Sequence, residues 1–152
     1  MKAQGFVAGC VAAASLLMLA LPPPALAAQD GAMPLSTTDR AAVRVVIENQ
    51  IAAFQRDDGV EAFSYASPTV QDIFGNPENF MRMVRNGYRP VYRPRQVFFQ
   101  EAVLYQGQLG QALVVTDQDG DVVIALYTME QQPDGSWRIG GVVLLPTRAT
   151  GA

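Results

Sequence analysis

The sequence predicts an α+β fold in which N-terminal helices pack on a curled antiparallel meander. Three observations carry this. Apolar residues recur at three- and four-residue spacing between Val43 and Phe54. Two further segments open on a capping residue followed by proline, Ser67-Pro68 and Asn76-Pro77. From Gln96 the pattern changes to runs rich in Val, Phe, Tyr and Leu, broken by Asp119-Gly120 and by Pro133-Asp134-Gly135. Helices followed by a run of strands, without alternation of the two, is the α+β order.

The first helix is expected over residues 38–57. Ser36 or Thr37 caps it, and Asp39 suits the positive end of the macrodipole. Val43, Val46, Ile47, Ile51 and Phe54 make an apolar stripe interrupted only by Gln50. Asp57-Asp58-Gly59 ends it, with Gly59 suited to a left-handed cap. The two acids there oppose the macrodipole. Short helices follow over 60–66, 68–74 and 77–86. The last carries Phe80, Met83 and Val84 and stops at Gly87. Pro90 and Pro94 are expected to hold the next segment extended, at an edge or rim. Strands are expected over 96–106, 109–116, 122–129 and 137–145. A two-residue turn at Asp119-Gly120 pairs Val115 with Ile124 and Leu113 with Leu126, leaving Val114 and Ala125 on the other face. Gly140-Gly141 inside a strand marks a bulge or bend. Both sheet faces are then apolar, so cover is expected on both.

The N-terminus has the layout of a secretory signal peptide. Lys2 supplies the positive region, Phe6 to Leu21 an apolar run, and Ala25-Leu26-Ala27 a small-x-small cleavage site ending at Ala27. The run is shorter than the ~20 residues that span a bilayer, and three prolines follow it. Cys10 lies too early in the run for a lipid attachment site. The organisation expected is therefore a signal peptide at 1–27, a disordered tail at 28–35, one domain at 36–146 and a C-terminal tail at 147–152. The product is periplasmic or secreted, with no stable membrane anchor after cleavage.

Removal of residues 1–27 leaves 125 residues with ten arginines, fourteen acids and no lysine, histidine or cysteine. Cysteine nucleophiles, Ser-His triads, lysine Schiff bases and His/Cys zinc sites are closed to such a chain. No cofactor and no metal are expected, and the acidic balance argues against nucleic acid as a partner. Asp117-Gln118-Asp119-Gly120-Asp121 superficially suggests calcium. Counted from Asp117, however, the glycine falls at the wrong place and the twelfth residue is Thr128 rather than glutamate, so a polar turn is the better reading.

Two groups of side chains are candidates for function. Arg82, Arg85, Arg89, Arg93 and Arg95 are half of the ten mature arginines, and Arg89, Arg93 and Arg95, interleaved with Tyr88 and Tyr92, suit an anionic ligand, or else pair with acids such as Asp57 or Glu78. Glu101 falls in phase with Val97, Phe99, Val103 and Tyr105; a carboxylate among apolar neighbours has a raised pKa and serves as a base. Tyr65 and Tyr105 are its candidate partners.

Ala53-Phe54, Asp57-Asp58, Ala62-Phe63, Ala66-Ser67-Pro68, Val70-Gln71, Phe74-Gly75, Pro77, Phe80, Met83-Val84, Gly87-Tyr88, Arg93-Pro94 and Trp137-Arg138-Ile139 resemble, in order and spacing, a bacterial domain of unknown function, family 4864. The resemblance covers about residues 43 to 145 and implies no catalytic residue. Its element order also resembles the nuclear transport factor 2-like (cystatin-like) cone, a fold that hosts isomerases, dehydratases and non-enzymatic binders. The function expected is a non-catalytic module that binds a small molecule or a protein. The alternatives are a cofactor-free isomerase or dehydratase using Glu101 with Tyr65 or Tyr105, and a structural homodimer that pairs through its sheet.

Overall fold

A computed structural model describes residues 35–147; the expected signal peptide, its cleavage site at Ala27, most of the 28–35 tail and all but Thr147 of the C-terminal tail lie outside them. Five helices precede four strands: α1 (Thr37–Gln55), α2 (Gly59–Ser64), α3 (Pro68–Phe74), α4 (Pro77–Gly87), α5 (Arg89–Tyr92), then β1 (Gln96–Tyr105), β2 (Gln108–Thr116), β3 (Val122–Gln131) and β4 (Trp137–Pro146). The strands form one open antiparallel sheet in the order β1-β2-β3-β4. This is the α+β arrangement expected.

Capping follows the sequence closely. Ser36, Asp58, Ser67 and Asn76 each accept a backbone N–H three residues on, which satisfies an orphan donor at the start of α1, α2, α3 and α4. The stripe of α1 is buried at Val43, Ile47, Ile51 and Phe54, and Gln50 is buried with them. Trp137 ties the start of α1 to β4, its Nε1–H donating to Asp39 Oδ1 at 3.1 Å.

Three expectations are corrected. First, Pro90 does not hold an extended chain: Arg89–Tyr92 is a helical turn with Pro90 in its first turn, where a missing N–H leaves no bond unmade. Second, the left-handed residue after α1 is Asp57, at φ 55°, not Gly59. Asp tolerates that region better than most residues. Gly59 instead begins α2 against α4, where a Cβ would lie 2.7 Å from Met81 Cγ. Third, the β2–β3 register is shifted by one. Leu113 pairs with Ala125 and Val115 with Val123, because Asp117 N–H bonds Asp121 O across a three-residue loop, with Gly120 at φ 92°. An odd loop length moves every β3 side chain to the opposite face from that given by a two-residue turn. Leu113, Val115, Ala125 and Tyr127 therefore share the face that packs on α1 and Val91.

Two bulges bend the sheet. Gln100 and Glu101 together oppose Ala112, and Gly140 is the extra residue between Ile139 and Gly141 on β4. At the first, Gln111 Nε2 donates to Gln100 O at 2.6 Å. At the second, the α2–α3 link joins the sheet: Ser67 N–H bonds Ile139 O at 2.8 Å and Ile139 N–H bonds Tyr65 O at 2.9 Å. The opposite face of the sheet is apolar and exposed at Phe98, Val103, Val122, Val143 and Leu145.

Candidate functional site

The arginine-rich segment is turned largely onto the protein itself. Asp57, held out of the helix by its left-handed backbone, accepts the Tyr92 hydroxyl at Oδ1, Arg93 Nη2 at 2.7 Å on Oδ2 and Arg85 Nη2 at 3.4 Å on Oδ1. The Arg93 guanidinium also donates to Phe54 O at the open end of α1 and lies 4.2 Å from the centre of the Tyr92 ring. The Tyr92 hydroxyl first, then Arg93 and Arg85, holds the Asp57 carboxyl below its ordinary range, against a desolvation that pushes it up. The acid that opposes the helix dipole is thus neutralised, while arginine takes up a terminal carbonyl. Arg89 and Arg95 remain exposed. Arg89 borders a small cavity of 170 Å³ that also includes Asp117 and Asp119, so its charges are mixed. Asp117 is itself occupied, its Oδ1 accepting the N–H groups of Asp119 and Asp121 at 2.9 Å each.

Glu101 does not sit among apolar neighbours. The bulge at Gln100-Glu101 breaks the alternation that placed it in phase with Phe99, and its side chain is 94% exposed, 3.9 Å from Arg40. The Tyr65 hydroxyl donates to Glu61 Oε1 at 3.1 Å. Burial, then the nearby Glu61 carboxylate, raises its pKa. Tyr105 ends β1, beyond the bulge.

The apolar cavity lies elsewhere, between the helices and β3–β4. A cavity of 340 Å³ is walled by Gln50 and Phe54 of α1, Val70, Ile73 and Phe74 of α3, Phe80, Met83 and Val84 of α4, and Tyr88 and Val91. Its floor is Tyr127, Ile139, Gly140, Gly141 and Val142. No lining residue is charged, and the lining includes none of Glu101, Tyr65 and Tyr105. Of the residues singled out from sequence, Tyr88 lines it. Ile73 lines it yet is 71% exposed, and α3 buries no residue completely, so the mouth is on the α3 side. The α2–α3 link holds α3 to the sheet at Ile139, beside the Gly140 bulge.

Two polar side chains reach this interior. Gln50 is 2% exposed and its Nε2 donates to Ala62 O at 3.2 Å, which fastens α1 to α2. Tyr127 is fully buried, and its hydroxyl has no hydrogen-bond partner among the described residues. Burial alone pushes its phenol well above the ordinary range, so it is a donor at any ordinary pH. Native structures rarely leave a buried hydroxyl unmatched, so this one is a cost to the fold. A larger groove of 530 Å³ over Asp58, Pro77, Glu78, Arg82 and Asn86 is an open polar surface with no such group. Sequence reading noticed Gln50 as the odd member of its stripe but gave it no role, and the shifted register concealed Tyr127.

The family model for a domain of unknown function, DUF4864, matches residues 36–152, and the chain belongs to that family. No curated protein and no solved structure matches it.

Proposed function

We propose that the protein is exported and acts as a non-catalytic module that holds a small apolar molecule in the cavity between α3, α4 and the β3–β4 floor. One observation carries the reading: a concave, uncharged and largely apolar cavity of 340 Å³ between the helices and β3–β4. The volume is at the low end of ~300–1,000 Å³ for sites that enclose small ligands, and an apolar lining with few polar groups is what such sites share. The enzyme alternative lacks support at this site, since no carboxylate borders the cavity and general acid–base chemistry needs a titrating group beside the substrate. Export is supported by Lys2, the apolar run and Ala25-Leu26-Ala27.

Native mass spectrometry of protein purified from its own source tests both parts. The expected species begins at Ala28 and carries a small molecule that is absent from Val142→Phe, which fills the cavity from the floor. A chain that retains residues 1–27 refutes export; a wild-type protein with no adduct, and no affinity for added apolar probes, refutes binding.

A second reading, a homodimer paired through the sheet, is favoured by the row Phe98, Val114, Ile124 and Leu145, which runs across all four strands on the outer face. Phe98 is 57% and Leu145 41% exposed. Light scattering of the wild type and Leu145→Glu decides it: a dimer that the variant abolishes supports the pairing, and a wild-type monomer refutes it.

A further inference from the structure

We propose that β4 pairs along its open edge with β4 of a second copy of the chain, antiparallel across a two-fold axis at Val143, so that two four-stranded sheets join into one. This goes beyond the readings above. The contact is the edge of the sheet rather than its outer face, and it does not depend on a filled cavity.

The hydrogen-bond pattern leaves this edge open. Asp117 N–H bonds Asp121 O, and counting along the strands by twos makes Val115–Val123, Leu113–Ala125 and Gln111–Tyr127 the bonded pairs of β2 and β3. Ile124, Leu126 and Thr128 therefore turn their backbone groups to β4, where they meet Leu145, Val143 and Gly141. Val122 O lies on that same side and accepts the Thr147 hydroxyl at 2.7 Å. On β4, the N–H and C=O of Val142 and Leu144 then point away from β3, and no group among the described residues meets them. The same edge is already used one step along: at Ile139 the α2–α3 link bonds both the N–H and the C=O.

Three observations select a second copy as the occupant. The first is symmetry. Regular strand runs from Gly141, after the bulge at Gly140, to Leu145, before Pro146, which has no N–H. Its midpoint is Val143. A two-fold axis there sets Val142 opposite Leu144 of the second copy and Leu144 opposite its Val142, which completes every backbone group that these residues leave open. The second is fit. In that register Leu145 faces Gly141 of the second copy on the outer face, large against small. On the inner face Val142, part of the cavity floor, gains Leu144 of the second copy as its neighbour, so each copy adds a side chain at the rim of the other's cavity. The third is charge. Ile139 to Pro146 holds no charged residue, so pairing with itself opposes no like charges. The other edge, β1, is guarded by the bulge at Gln100-Glu101 and by the exposed Glu101 carboxylate, as edges that stay single commonly are.

Cysteine crosslinking in a Cys10→Ser background, which has no other cysteine, tests the register. On the axis the two Val143 residues form a non-bonded pair with Cα atoms ~4.5 Å apart, within disulfide reach. Val143→Cys should oxidise to a covalent dimer, whereas Val103→Cys and Phe98→Cys, both more exposed than Val143, should stay monomeric. Crosslinking of Val103→Cys to the same extent shows random collision, and preferential crosslinking of Phe98→Cys shows pairing through the outer face; either overturns the proposal. Amide exchange of the unaltered chain decides without any variant. The Val142 and Leu144 N–H groups should be protected in the dimer and lose that protection on dilution to monomer. Absence of protection at every concentration overturns the pairing. Protection that persists in a monomer assigns the edge to a terminal segment of the same chain and overturns it equally.

Discussion

Replacing Tyr127 by phenylalanine should stabilise the empty protein, an unusual sign for a change at a fully buried position. The ring and its packing against α1 and the neighbouring strands are retained, and only the hydroxyl is removed. Mutational data put the cost of burying an unmatched hydroxyl at ~1–3 kcal/mol. Against that gain stand the few packing contacts that the buried oxygen makes. A gain of about 1 kcal/mol follows, which is ~3–5 °C in Tm for a chain of this size. In urea the midpoint should rise by ~0.5 M at an m-value of ~2 kcal/mol/M, with m itself unchanged. Urea melts make the measurement. A variant that loses more than about 1 kcal/mol without ligand would show that the hydroxyl has an internal partner in solution, and the reasoning from an unmatched donor would fail.

Phe54→Ala should cost ~3–5 kcal/mol in urea melts, because Phe54 is 2% exposed and packs against Phe80 and Tyr92 at centroid distances of 6.1 and 6.5 Å. Asp57→Asn keeps a side chain that accepts the left-handed backbone, yet removes the charge shared by Arg85, Arg93 and Tyr92. Because folding lowers the Asp57 pKa, its contribution is complete above the unfolded value of ~3.9 and is lost as pH falls through the folded value. The variant should therefore be less stable than wild type from about pH 5 upward, with the difference shrinking as pH falls below the unfolded value, read from thermal melts across that range. Arg93→Ala should destabilise by ~1–2 kcal/mol, since the guanidinium bonds both Phe54 O and Asp57, whereas exposed Arg89→Ala should stay within about 0.5 kcal/mol. Gly59→Ala should cost ~1–3 kcal/mol through Met81, and Met81→Ala in the same chain should recover part of it, as a double-mutant cycle would show.

Much of the fold was legible because local chemistry fixes it. Ser67-Pro68 and Asn76-Pro77 begin α3 and α4 at the expected residues, since a cap acceptor followed by a residue with helical φ and no N–H leaves few alternatives. The same logic misled at Pro90. Proline is excluded from helix interiors but favoured in first turns, and nothing nearby in sequence says which applies; the packing of Val91, 2% exposed, against the sheet decides it. Gly59 was misread for a similar reason. A glycine that tolerates positive φ and one that makes room for a neighbour look alike until Met81, twenty-two residues away, is brought against it.

The site was less legible than the fold, and one loop accounts for most of the loss. Asp119-Gly120 suits both a two-residue turn and the second half of a three-residue loop, and the two differ by one residue in register. With the shorter turn, Tyr127 falls in phase with Ala125 and Val114 and apart from Leu113 and Val115. With the loop the structure adopts, Tyr127 shares the inner face with Leu113, Val115 and Ala125. Its hydroxyl then enters the core with no group to meet it. Gln132 to Ser136 repeats the device, Gln132 N–H bonding Ser136 O across Pro133-Asp134-Gly135 with Gly135 at φ 85°. Since side chains alternate strictly, two odd loops and the Gly140 bulge together decide which residues line the cavity. The arginines show the converse. Their density draws the eye because charge is visible in sequence, but Asp57 engages Arg85 and Arg93 at the end of α1, and their part is to close that helix. Where charges have internal partners they carry little functional information, and the candidate left is the apolar cavity, whose lining residues no charge in the sequence marks.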